Sequence, residues 1–149
     1  MKQILLINGP NLALLGSREP GIYGVETLDQ IVKAVSRHAE DAGFVIKHFQ
    51  SDIEGELVRA IGESRHNCQG IIINPAAYTH TSVAIRDAIS ACGLPTVEVH
   101  LSNTYKREPF RHDSLTVPVC VGQIMGFGAY GYLLALEALI NYLRKAAGE

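Results

Sequence analysis

At 149 residues and 47% hydrophobic side chains, the chain can bury a sizeable core in one domain without disulfides or a structural metal. Its 13 Lys+Arg against 15 Asp+Glu leave a formal net charge of -2. That excludes a basic field for nucleic acid or an anionic membrane surface, so neither partner is expected and the ligand should be small.

Taken in chain order, apolar runs and helical patterns alternate. Gln3 to Ile7 reads as a strand; its apolar part is too short for a secretory segment, and a cytoplasmic location is expected. Leu14 to Val25 fits no regular element, and Gly16, Gly21 and Gly24 around Arg18, Pro20 and Tyr23 suggest a mobile lid. Thr27 to Ala42 reads as a helix, with Thr27 and Gln30 forming a capping box and Gly43 supplying the left-handed residue after its end. A strand at Phe44 to Phe49 precedes a helix at Glu54 to His66, for which Ser51 and Glu54 fit a second capping box. Ile71 to Asn74 is the next strand, followed by a helix from about Thr79 to Cys92 that Gly93 would close. Thr96 to Val99 leads to a short helix around Tyr105 to Phe110, and Val117 to Val121 reads as a fifth strand before a helix from about Gly128 to Ala146. The apolar and glycine run Ile124 to Leu136 is well short of the ~20 residues that span a bilayer, and reads as a buried helix or a subunit contact.

Alternating strands and helices, with strands apolar on both faces, predict an α/β fold. The expected form is a flavodoxin-like, five-stranded parallel sheet of order 2-1-3-4-5 with helices on both faces. In such a sheet ligands bind outside the carboxyl ends of the strands. Three polar segments sit at predicted strand ends: Asn8 to Leu12, Asn74 to Ser82, and Glu98 to Asn103.

Gly126-Phe-Gly128-Ala-Tyr-Gly131 matches G-x-G-x-x-G, but no strand ending in an acidic residue follows its helix, so close helix packing is the better account of these glycines. No phosphate-loop, zinc or serine-nucleophile motif is present. Cys68, Cys92 and Cys120 are odd in number and widely spaced, which reads as buried thiols in a reducing compartment.

Glu98 and His100 lie two apart at a strand end, hence on one face, where a carboxylate can orient an imidazole as a general acid; a structural hydrogen bond is the other reading. Ser102 and Asn103 follow at a helix start, where backbone N–H groups can bind a carboxylate or phosphate. Arg18 and Tyr23 share the lid, and an arginine close to a phenol favours the phenolate that can serve as a base; the alternative is a tyrosine packed on an arginine stem. His80 and Asp87 are read seven apart on the third helix, on one face but separated by ~10 Å of rise. Arg111 could clamp a ligand oxygen, while His38, His48, His66 and His112 show no supporting partners.

Asn8 to Leu12, Arg18-Glu-Pro, Tyr23-Gly24, Asn74 to Ser82, Glu98 to Asn103 and Gly131-Tyr-Leu-Leu-Ala-Leu136 together, in order over nearly the whole chain, closely resemble type II 3-dehydroquinate dehydratase. The resemblance implies a flavodoxin-like fold and a homododecamer built as a tetramer of trimers. It implies removal of water from 3-dehydroquinate to give 3-dehydroshikimate, by anti elimination through an enolate, with no cofactor and no metal. This reaction is shared by aromatic biosynthesis and quinate breakdown. Carried over by position, Tyr23 resembles the base and Arg18 its phenolate partner, while His100 looks like the acid, oriented by Glu98. Asn11 resembles the residue that holds the water at the enolate oxygen. Asn74, Leu101 and Ser102 match positions around the substrate carboxylate, His80 and Arg111 positions that grip ring hydroxyls, and Asp87 a residue presented to a neighbouring subunit. Ala13, Pro109 and Asp113 depart from the family pattern, which touches lid packing, hydroxyl recognition and subunit contacts.

Elementary chemistry asks for the same three roles: a base for the C–H beside a ketone, an acid for the leaving hydroxide, and a group that spreads the carbanion charge onto oxygen. A Schiff-base route would need a lysine, and Lys2, Lys33, Lys47, Lys106 and Lys145 all lie outside these motifs. Two other classes stay open at this point: a flavin- or nucleotide-binding carrier of the same fold, and a non-catalytic assembly module. Against the carrier, the first strand end holds a proline and no phosphate-cradling run.

Overall fold

A computed structural model describes all 149 residues. Five strands, β1 (Lys2–Asn8), β2 (Phe44–Gln50), β3 (Gly70–Asn74), β4 (Thr96–His100) and β5 (Gly122–Met125), form one parallel sheet in the order β2-β1-β3-β4-β5. This is the predicted flavodoxin-like order, and it brings all five carboxyl ends to one edge.

The helices are α1 (Pro20–Tyr23), α2 (Leu28–Asp41), α3 (Glu54–Ser64), α4 (Val83–Cys92) and α5 (Tyr130–Ala146). Because strand side chains alternate between faces, β1 divides its apolar run between two cores. Ile4 and Leu6 pack with Ile72, Val97 and Val99 beneath α2 and α5. Leu5 and Ile7 pack with Ile71 and Ile73 beneath α3 and α4. The predicted Thr27 capping box is present in both halves, and α2 buries Leu28, Ile31, Val35 and Ala39 at helical spacing.

Several local expectations are corrected. Val117 to Val121 is not a strand: Val117–Val119 is a 3-10 turn, and the fifth strand begins at Gly122. Pro118 explains this, since it has no N–H to give to a ladder. Ile124 to Leu136 is not one helix, because Ile124 and Met125 end β5 and α5 begins only at Tyr130. Gly126 (φ 94°) and Gly128 (φ 59°) turn the chain between them. Of the G-x-G-x-x-G glycines, only Gly131 is a helix-packing residue; a Cβ there would lie 3.4 Å from Val99 Cγ2.

The expected helix from Thr79 is split into a 3-10 turn, Ala76–His80, and α4, whose start Ser82 caps by accepting the Ile85 N–H at 2.9 Å. His80 and Asp87 therefore do not share a helix. Tyr105 to Phe110 resolves into two 3-10 turns, Thr104–Lys106 and Pro109–Arg111, the second opened by Pro109. Ser51 makes no capping box; its hydroxyl accepts from the Ile53 N–H and donates to Glu56. The Leu14 to Val25 segment, expected to be irregular, contains α1. No helix is long and apolar enough to cross a membrane.

Candidate active site

The loops leaving β1, β3 and β4 converge on a cavity at the carboxyl edge, with about 480 Å³ of atom-free space partly open to solvent. Close backbone approach builds it. Gly9 packs against the β3 exit so tightly that a Cβ would fall 2.5 Å from the Pro75 carbonyl oxygen. Asn11 (φ 68°), Glu19 (φ 35°) and Ala76 (φ 51°) are the three non-glycine residues in left-handed backbone. Asn11 and Ala76 line this cavity, and Glu19 adjoins its Arg18 wall. Such conformations cost about 1–3 kcal/mol each and concentrate where function dictates backbone direction.

Tyr23, at the end of α1, faces the cavity with Arg18. Arg18 Nη2 donates to Tyr23 Oη at 3.2 Å, and the Arg18 guanidinium carbon lies 4.2 Å from the ring centroid. A second guanidinium, that of Arg107, stands 5.2 Å from the same centroid. Two fixed cations thus flank one phenol.

Opposite in chemistry is the β4 end. Glu98 is fully buried, and its Oε2 meets His100 Nε2 at 2.9 Å. Gln123 Nε2 also donates to it at 2.9 Å, as do the Ser114 hydroxyl at 3.1 Å and the Thr79 hydroxyl at 3.2 Å. The Thr116 hydroxyl donates to Oε1. Burial alone would raise the pKa of Glu98, but the hydrogen bond and charge of His100, then the Thr116 and Ser114 hydroxyls, outweigh it and hold the carboxyl below its ordinary value. The ionised carboxylate therefore fixes Nε2 of His100, leaving Nδ1 as the ring nitrogen free for a cavity occupant. The same charge, after burial itself, pushes the Cys120 thiol up to about 12, so it stays protonated.

Other predicted site residues gather around these pairs. Asn11, Asn74, His80, Leu101, Ser102 and Arg111 all line the cavity. Neither the Leu101 nor the Ser102 N–H donates to a protein acceptor, although Leu101 is buried. Adjacent unpaired backbone donors suit an anion. They come from the strand exit itself rather than from the helix start expected there. His80 Nδ1 lies 2.7 Å from the Asp113 carbonyl, so the neutral ring presents Nε2 as an acceptor. Because that contact is to backbone, the Asp113 side chain is not what holds His80. Arg111 is steadied by Glu108 at 3.3 Å. Asp87 is exposed on α4 and is not among the cavity residues.

Sequence reasoning missed Arg107, Thr79, Ser114, Thr116, Gln123 and Tyr132. The hydroxyls carried no local signal, since only the fold brings Thr79 to Ser114 and Thr116. It also left His48 and His112 without partners, whereas His48 meets Asn8 at 3.1 Å and His112 meets the Arg107 carbonyl at 3.0 Å. All three cysteines are free, Cys68 buried and the other two half-buried. No group of three or more His, Cys, Asp or Glu side chains is placed to hold a metal.

A parallel sheet carrying paired arginines on a tyrosine and a caged carboxylate on a histidine, around one polar cavity, defines a site built for proton transfer. The family described as "Dehydroquinase class II" matches residues 2–140. Among curated relatives, the 3-dehydroquinate dehydratase of Trichodesmium erythraeum is 59% identical over 142 residues, covering 95% of each chain, and that of Jannaschia sp. is 55% identical over 143 residues, covering 96% of this chain and 97% of the relative. The crystal structure of the type II dehydroquinase from Butyrivibrio crossotus superposes with a TM-score of 0.90 at 45% identity, covering 93% of this chain and 97% of that one. The chain belongs to the class II dehydroquinase family.

Proposed function

We propose that the protein is a hydro-lyase, a 3-dehydroquinate dehydratase that removes water by anti elimination through an enolate, without a Schiff base. Tyr23, as phenolate, takes the proton from C2, with the Arg18 N–H donated to its oxygen and Arg107 adding a second positive charge. The electron pair moves onto the C3 carbonyl oxygen, where Asn11 holds a water that donates to the developing oxyanion, a role that can be worth ~3 kcal/mol. The enolate then collapses to the C1=C2 double bond, and the C1 hydroxyl leaves as water with the proton of His100. Glu98 orients His100 and stabilises its charged form.

Asn74 and the N–H groups of Leu101 and Ser102 bind the substrate carboxylate. His80 and Arg111 grip ring hydroxyls, and Asp87 reaches the site of a neighbouring subunit in a homododecamer. Its exposure on α4, away from the chain's own cavity, supports that placement. No cofactor takes part, and a cytoplasmic enzyme is expected.

The observation that carries this reading is that the Arg18–Tyr23 pair and His100, backed by the buried Glu98, open onto one cavity. No lysine lines it, which supports proton transfer over imine chemistry. Adding 3-dehydroquinate to the purified protein tests it: absorbance should grow in the conjugated enone band. A silent spectrum with folded protein rejects the assignment.

A further inference from the structure

One side-chain hydrogen-bond chain runs from the sheet edge to the cavity, and of its members the mechanism above uses only Asn74. Asn8 Nδ2 meets His48 Nε2 on β2 at 3.1 Å. Tyr132, completely buried on α5, donates its hydroxyl proton to Asn8 Oδ1 at 2.6 Å. Asn74 Nδ2 donates to the Tyr132 oxygen at 2.8 Å, and Asn74 Oδ1 accepts the Ala76 N–H at 3.0 Å.

Each link fixes the direction of the next. A backbone N–H can only donate, so Asn74 Oδ1 must face Ala76 and its amide nitrogen must face Tyr132. The Tyr132 oxygen then accepts from Asn74 and gives its proton to Asn8, which in turn presents its amide nitrogen to an unprotonated His48 Nε2. Burial keeps the Tyr132 hydroxyl protonated far above its ordinary pKa, and partial burial lowers that of His48, as this polarity requires. Asn8 and Asn74 are register partners at the ends of β1 and β3, so one hydroxyl from α5 ties together the two strand ends that launch the cavity loops. Its motif, Gly131 to Leu136, otherwise has only a packing role.

We infer that Tyr132 is a positioning residue: its hydroxyl orients the Asn74 amide so that the second N–H hydrogen is presented to the substrate, and His48 closes the chain at the far end. This rests on the proposed function.

Steady-state kinetics with 3-dehydroquinate on the assembled protein test it. Turnover by the unsubstituted chain is the control; failure there rejects the functional reading and not this inference. Tyr132→Phe should raise KM about tenfold, equivalent to about 1.4 kcal/mol of binding, while kcat moves by less than about threefold. A folded Tyr132→Phe protein with unchanged KM and only a lowered melting temperature would overturn the inference. Should that variant not fold, His48→Leu at the solvent-exposed edge decides: it removes the terminal acceptor and should raise KM about threefold, with His48→Gln, which restores an acceptor, returning it. Equal KM in both His48 variants and the parent would overturn the inference as well.

Discussion

Glu98 and His100 meet at 2.9 Å with their side chains 0% and 8% exposed, and the carboxylate is surrounded by four further donors, none of which titrates near neutrality. Transfer of a proton to Glu98 would discard those hydrogen bonds, so the cage holds the carboxyl ionised against Nε2 of the imidazole. A lone carboxylate in the same apolar surroundings would be the better base.

Stability should therefore titrate through Glu98. Its folded pKa lies below the ordinary value of 4.5, so its contribution is fully present above that pH and is lost as pH falls through the lower folded value. Melting temperatures of the parent and Glu98→Gln should differ most above pH 4.5 and converge on acidification. A constant difference down to the acid limit would contradict the cage.

Thr116 is the sole donor to Glu98 Oε1. Thr116→Val keeps the shape and leaves that oxygen unpaired, at a cost of about 1–3 kcal/mol in urea unfolding, and Thr116→Ser should recover most of it. Equal losses in both variants would point to packing instead.

The fold was legible because its signals were local and repeated. Ile4 to Ile7 and Ile71 to Ile73 are apolar on both faces, Thr96 to Val99 is buried on both, and Thr27 with Gln30 marks a helix start that the structure reproduces. Pro118, Pro109 and Ser82 are where pattern reading slipped, because in each case turn chemistry overrode an apolar or helical run. The site was legible where chemistry sat within one segment, as in Glu98-Val-His100 or Arg18 to Tyr23. It was not legible where partners met across the fold: Gln123 and Thr79 are 25 and 19 positions from Glu98, and Tyr132 is 124 positions from Asn8.

Arg107 should count as much as Arg18, since its charge stands over the same ring. Arg107→Ala is expected to lower kcat by about 10²-fold, with the melting temperature nearly unchanged. A variant with parental kcat would confine Arg107 to its hydrogen bond to the Ser102 hydroxyl at 3.4 Å and its ion pair with Glu108 at 3.9 Å.

Gly9→Ala forces a methyl group to 2.5 Å from the Pro75 carbonyl, a backbone atom that cannot swing away. It should destabilise the protein by about 1–3 kcal/mol and weaken substrate binding, because the loop carrying Asn11 must shift. Parental stability and KM would show that the β1 and β3 loops separate freely.

Incubation of the enzyme with 3-dehydroquinate and borohydride should leave its activity, assayed afterwards with fresh substrate, intact, since no lysine lines the cavity. Covalent labelling of any lysine with loss of activity would replace the proposed elimination with imine chemistry.

The most direct test concerns Tyr23. Tyr23→Phe removes one oxygen and leaves the ring beside Arg18 and Arg107. Its kcat for 3-dehydroquinate should fall by at least about 10²-fold in a protein that melts and assembles like the parent. Turnover within twofold of the parent would show that some other group takes the C2 proton.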